Sequence, residues 1–258
     1  MAQTSASAPA ATRQTGNPAF KASLYTATAT GQATMTVSGT VVKALFFTAL
    51  LIAGALLGWT SVTPDVSGAV VWPWWTWWVG LAAFVVAIIT IRNPQGAALT
   101  GSLYALLDGT VVGAVSAIYD VIWNGIVLQA TIATIAIMLS VLLLYLVGVL
   151  RATPRFVKVV IIGTAGVALL YLFALIMAIF GVDLVFWAKP TSAGIFWSLV
   201  IVALAALNFV LDFDAIERYS AEGAPKVYEW QAAFGIILTL VWLYLEVLRL
   251  IALSRARE

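Results

Sequence analysis

The sequence predicts an all-α integral membrane protein with seven transmembrane helices. Three observations carry this. The chain of 258 residues is 63% hydrophobic and only 9% charged. Its mean hydropathy is +1.04, outside the range of soluble domains. Seven apolar stretches long enough for a hydrocarbon layer of roughly 30 Å follow one another with short connections.

The spans are expected near residues 44–62, 70–91, 97–118, 126–150, 156–181, 193–211 and 232–253. The first is a continuous apolar run closed by Thr63-Pro64-Asp65. The second opens on Trp72-Pro73-Trp74-Trp75-Thr76-Trp77-Trp78, which reads as an interfacial aromatic belt, and ends at Arg92-Asn93-Pro94. The third holds Asp108 and small residues that favour close helix packing, and it closes at Tyr119-Asp120. The fourth and fifth are separated by Arg151-Ala152-Thr153-Pro154-Arg155, the fifth and sixth by Ala188-Lys189-Pro190. A polar stretch from Asp212 to Glu229 leads from the sixth span to the seventh. Two domains are expected: residues 1–39, rich in Ala, Thr, Ser and Gly, form a disordered cytoplasmic tail, and residues 40–258 form the seven-helix unit. The tail has no signal-peptide pattern, and Asn17-Pro18-Ala19-Phe20 is its candidate docking element.

With the N-terminus in the cytoplasm, nine Lys and Arg residues fall inside and four, Lys189, Arg249, Arg255 and Arg257, fall outside. The asymmetry predicts a multi-pass protein of the cell membrane with a cytoplasmic N-terminus. The basic C-terminus votes the other way, so the side of the tail stays open. The expected partners are the lipid bilayer and, in one reading, another membrane protein. A net charge of +2 without a basic patch excludes nucleic acid.

The chain has no Cys and no His, which removes zinc, haem, thiol and His-based catalysis. No serine–histidine protease pattern, phosphate-binding loop or dinucleotide fingerprint occurs, so no enzyme activity and no tightly bound cofactor are expected. Carboxylates become the candidate proton-binding groups. Acids inside a span are costly and tend to be functional. Glu246 has Trp242 one turn before it and Arg249 three residues after, so it either pairs locally with Arg249 or points into the bundle toward another acid. Asp212 and Asp214 lie two apart and face different ways, and both could simply mark a helix end. Asp108, mid-span, needs a partner or a proton. Arg92 is either a topology anchor or a gating contact.

With these residues in view, the chain resembles the Bax inhibitor-1 / YccA-like family (the transmembrane Bax inhibitor motif proteins), in a bacterial branch of the inner membrane. The resemblance rests on Asn17-Pro18-Ala19-Phe20, Tyr104-Ala105-Leu106-Leu107-Asp108-Gly109, Ile126-Val127-Leu128-Gln129-Ala130-Thr131, Asp212-Phe213-Asp214-Ala215-Ile216, Glu229-Trp230 with Ala233-Phe234-Gly235, and Leu243-Tyr244-Leu245-Glu246. It implies six helices surrounding a central seventh, with a calcium leak gated by a buried di-carboxylate that senses pH. An acid followed four residues later by Ile is the family's sixth-span pattern, and it selects Asp212 with Ile216 over Asp214. The seventh-span acid falls on Glu246 and the latch arginine on Arg92. Asp212 and Glu246 are thereby the implied calcium-facing oxygens, while Asp108, Asp214 and Arg249 are candidates for pore lining or packing. The sequence departs from the family in carrying Glu at position 246 in place of Asp, Asp at 108 in place of Glu, and an apparent extra loop from Ser220 to Trp230. Two carboxyls within hydrogen-bond reach in low dielectric would share a proton. Competing readings are a membrane-embedded regulator of a partner such as a quality-control protease, and a proton-coupled transporter.

Overall fold

The computed structural model describes residues 33–62, 72–181 and 189–257. Seven α helices occur among the described residues: α1 Val37–Thr60, α2 Trp75–Arg92, α3 Ala97–Ile122, α4 Ile126–Leu146, α5 Pro154–Ile179, α6 Ser192–Ala221 and α7 Tyr228–Arg255. All seven are long and apolar enough to cross a bilayer. The all-α, seven-span class is therefore the observed one. Asn17 to Phe20, the turn at Thr63-Pro64-Asp65 and most of the tail lie outside the described residues.

Two boundaries differ most from the hydropathy reading, and both differ because helices outlast their apolar runs. The first helix starts at Val37, ahead of 44, because the Thr36 hydroxyl caps it by accepting from the Gly39 N–H. The residues before it, inside the expected tail, are docked. Met35 is buried, its N–H donates to the Ala224 carbonyl, and Lys226 donates to the Ala33 carbonyl. The sixth helix runs to Ala221, ten residues past the point where the sequence turns polar. Asp212, Ala215, Ile216 and Tyr219 keep one stripe of this extension buried, and Ser220 donates to the Met35 carbonyl. The polar connection from Asp212 to Glu229 is thus mostly helix, and the apparent extra loop from Ser220 to Trp230 shrinks to residues 222–227 linking α6 to α7.

Local chemistry accounts for the other ends. Thr153 and Thr191 cap α5 and α6, with Pro154 at the first position of α5. Gly125 takes φ 78° to turn the chain into α4, and its N–H is received by Asp120. Trp74, Trp77 and Trp78 are exposed at the start of α2, where a headgroup belt requires them. This end of the bundle is called the Trp face below, and the opposite end, where residues 33–36 enter, the N-terminal face.

The centre of the bundle is shared by α7 and α6, the two most enclosed helices, while α5 is the least enclosed. Helix α7 packs on α1, α3, α4 and α6; α2 lies against α3, and α5 against α6. Between α1 and α3 the backbones meet. Gly54 and Gly58 face Leu106 and Thr110, and Gly109 and Gly113 face Leu51 and Ala55, so that a Cβ at any of the four would strike an opposing carbonyl. This double small-residue seam replaces side-chain interdigitation with close backbone contact, which suits helices that have no hydrophobic drive to associate in lipid. One buried cluster gathers Met35, Phe47, Tyr104 and Phe234. A second gathers Ile126, Val160, Phe209 and Leu248, and α7 contributes to both.

Candidate functional site: buried carboxylates along the seventh helix

Among the described residues three acids are almost completely buried, and α7 organises all of them. Glu229 and Glu246 belong to it, and Asp212 of α6 is bound by its Thr239. They lie at three depths. Taking 1.5 Å per residue, Thr239 stands about 15 Å along α7 from Glu229, and Glu246 about 10 Å further toward the Trp face.

Asp212 is fully buried at mid-depth, enclosed with Val210, Leu211, Ala215 and Ile216, and its Oδ2 accepts from the Thr239 hydroxyl at 2.6 Å. The α6 register decides between the two sequence candidates. Asp212 points into the α6–α7 contact, while Asp214 is half-buried, pairs with Arg218 at 4.0 Å and lines a cavity of about 580 Å³ on the N-terminal face with Tyr145, Arg151 and Glu217. In that cavity Tyr145 donates to Glu217 at 2.5 Å.

Glu246 sits in a cage of its own. Oε1 accepts from the Tyr171 hydroxyl of α5 at 2.5 Å and from the Trp242 indole N–H at 3.2 Å. Oε2 is ion-paired with Arg249, which also donates to the Tyr171 oxygen at 2.9 Å. The guanidinium lies 5.6 Å from the Tyr171 ring centroid. Of the two readings open from sequence, local pairing with Arg249 is the observed one. Asp212 is not among the groups that hold Glu246, and the structure does not bring the two acids together as a proton-sharing pair. The reason is register: Thr239 and Glu246 are two helical turns apart, and a basic partner one turn beyond Glu246 satisfies it first.

Arg92 ends α2 at the N-terminal face, exposed, and it makes no ion pair among the described residues. The neighbouring Ile91 carbonyl accepts from Gln231 near the start of α7 at 3.0 Å. That contact fixes Arg92 roughly 20 Å of helix away from the level of Glu246. Asp108 finds its partner within α3: the Tyr104 hydroxyl, one turn back, donates to it at 3.0 Å, and the Tyr104 ring stands edge-on to Phe234 of α7 at 5.0 Å.

The acid that sequence reasoning passed over is Glu229. Fully buried in the first turn of α7, its Oε1 accepts from the Thr36 N–H at 2.9 Å and the Thr36 hydroxyl at 3.0 Å. Its Oε2 is ion-paired with Lys43 of α1, whose ammonium lies 5.1 Å from the Trp230 ring centroid. A signal was present: Lys43 stands inside an apolar helix and needs an acid from elsewhere, although as a topology vote it looks ordinary. Among the described residues no three acids, histidines or cysteines gather into a metal-holding group.

A family model described as Bax inhibitor 1 like matches residues 17–256. No curated protein and no solved structure matches the chain. A match that runs over nearly the whole sequence, on a chain folded as seven apolar helices with acids buried along the last two, places it plainly: the protein belongs to the Bax inhibitor 1 like family of membrane proteins.

Proposed function

We propose that the protein is a pH-sensitive cation leak of the cell membrane, with its N-terminus in the cytoplasm, calcium as the permeant ion, and Asp212 as the group that gates it. The observation that carries this reading is the complete burial of Asp212 at mid-depth between the two most enclosed helices, on a hydroxyl from α7. Burial in this contact penalises the charged carboxylate, whereas a protonated carboxyl leaves the contact neutral and dry. With its proton, Asp212 keeps α6 and α7 together. Without it, the α6–α7 contact gains a negative charge and loosens, and carboxylate and hydroxyl oxygens of the kind a hard cation takes become available. Leak therefore rises with pH. Glu246 has Arg249 as its counter-charge and serves as the fixed charge cluster toward the outer mouth. Arg92 serves as an anchor at the cytoplasmic headgroups. Calcium enters as cargo, not as a resident ion.

Calcium flux into liposomes holding the purified protein, measured from pH 6 to 8, tests the reading. Asn at position 212 keeps an oxygen for Thr239 but cannot gain the charge, so Asp212→Asn is expected to hold the leak at its low-pH level throughout. Wild-type pH dependence in that variant would remove Asp212 from the gate. A pure protein that passes no cation, while a stoichiometric membrane partner co-purifies, would replace the leak with the regulator reading.

A further inference from the structure

Helices α1 and α4 each pack on α3 and α7, and between them the bundle leaves a cleft of about 300 Å³ that opens sideways. Its walls are Leu51, Ile52 and Leu56 on one side and Val127 and Ile135 on the other, with Leu240 of α7 in the floor. The few polar atoms in it are already engaged. Thr48, Thr131 and Thr134 donate to carbonyls one turn back on their own helices, and Ser116 and Tyr244 bond to one another at 2.7 Å. A polar guest would find little to hold it, so the cleft selects an apolar one.

Depth and length narrow the choice. Trp59, one residue from the end of α1, borders the cleft at the Trp face, and Thr48 borders it near mid-helix. The two are 11 residues apart, about 16 Å of helix. That is close to half of a hydrocarbon layer of roughly 30 Å, the depth of one leaflet. An indole at headgroup level above an apolar slot one leaflet deep is the chemistry of a lipid tail entering with its headgroup beside the Trp. Water would gain nothing there, and an empty slot would forfeit the contacts of its lining.

We propose that this cleft is a binding site for a single acyl chain of a phospholipid from the Trp-face leaflet, held between α1 and α4 against Tyr244. The site is independent of the leak. It does place a lipid tail on the helix face that carries Tyr244, two residues before Glu246, so α7 would rest on lipid where the neighbouring helices rest on one another.

The test uses the full chain in liposomes containing a phospholipid with a diazirine in the middle of one chain, followed by photolysis and mapping of adducts by peptide mass spectrometry. Adducts are expected on Leu51, Ile52 and Ile135 several-fold above those on the exposed α5 residues Val159, Ile162 and Leu169, which report ordinary contact with the bilayer. Filling the cleft from the α4 side, by Thr131→Trp or separately by Ile135→Trp, is expected to lower cleft labelling several-fold while α5 labelling and the unfolding midpoint stay as in wild type. Two variants guard against one that misfolds. Labelling of the cleft equal to that of α5, labelling unchanged in both filled variants, or cross-links from the cleft to a second protein chain would overturn the proposal.

Discussion

Glu229 and Glu246 are chemically alike and structurally opposite. Both lie on α7, both are buried, and each pairs with a base and takes hydrogen bonds from a hydroxyl. Glu229 draws its partners from far away, Lys43 and Thr36 being 186 and 193 residues distant in the chain. Glu246 finds Arg249 and Trp242 on its own helix and needs only Tyr171 from outside. One carboxylate is a tie between the beginning and the end of the chain. The other is a local cluster that a neighbouring helix completes. Burial of a charged group therefore says little about what it holds until the origin of its partners is known.

The largest effect should come from cutting the tie. Glu229→Ala leaves Lys43 without its counter-ion and the Thr36 N–H without its acceptor, and it releases residues 33–36 from α7. Removing one member of a buried ion pair costs about 3–5 kcal/mol, and a loss of that size in detergent unfolding is the expected outcome. Adding Lys43→Met to Glu229→Ala should recover part of the loss, because the remaining charge is gone. Additive effects of the two substitutions would mean that the pair contributes no coupling.

Glu246→Ala comes next, at about 1.5–3 kcal/mol, the range for hydrogen bonds to a charged group. Its cost is smaller because the charge left behind still has polar contacts: Arg249 keeps its bond to the Tyr171 oxygen and its place over the ring. If unfolding midpoints showed Glu246→Ala to be as damaging as Glu229→Ala, the distinction between tie and cluster would fail. Asp212→Asn should cost still less, about 1 kcal/mol, since an amide oxygen can accept from Thr239 as the carboxylate does. Its main effect is expected on the proposed leak, not on stability.

The same contrast explains what could be read from sequence. The seven helices were legible because hydropathy is a local property and each span carries its own. Glu246 with Arg249 was legible because the pair sits within one turn. The partnership of Glu229 with Lys43 was not, because no local pattern links residues 186 positions apart. The expected meeting of Asp212 with Glu246 depended on helix register, which hydropathy does not fix and which Thr239 decides here. The extension of α6 was missed for a related reason. The polar residues that seemed to end the helix include Asp212, which the fold buries, and Tyr219, enclosed on the same stripe near the docked Met35 segment.

The smallest effect, and the sharpest probe of how local the Glu246 cluster is, should come from Tyr171→Phe. The substitution deletes one hydroxyl that serves twice, donating to Glu246 and accepting from Arg249. It leaves the ion pair, the Trp242 bond and an aromatic ring under the guanidinium. Although both lost bonds involve charged groups, the ion pair and the Trp242 bond leave neither charge unpartnered, so the net cost should stay near that of one ordinary hydrogen bond, about 0.5–1.5 kcal/mol. A double-mutant cycle of Tyr171→Phe with Glu246→Gln measures this directly. Coupling within that range would mean that α5 only completes a cluster that α7 already holds. Coupling near 3 kcal/mol or above would mean that Tyr171 is itself a tie, and that the contact of α5 with the bundle hangs on this one hydroxyl as the first segment hangs on Glu229.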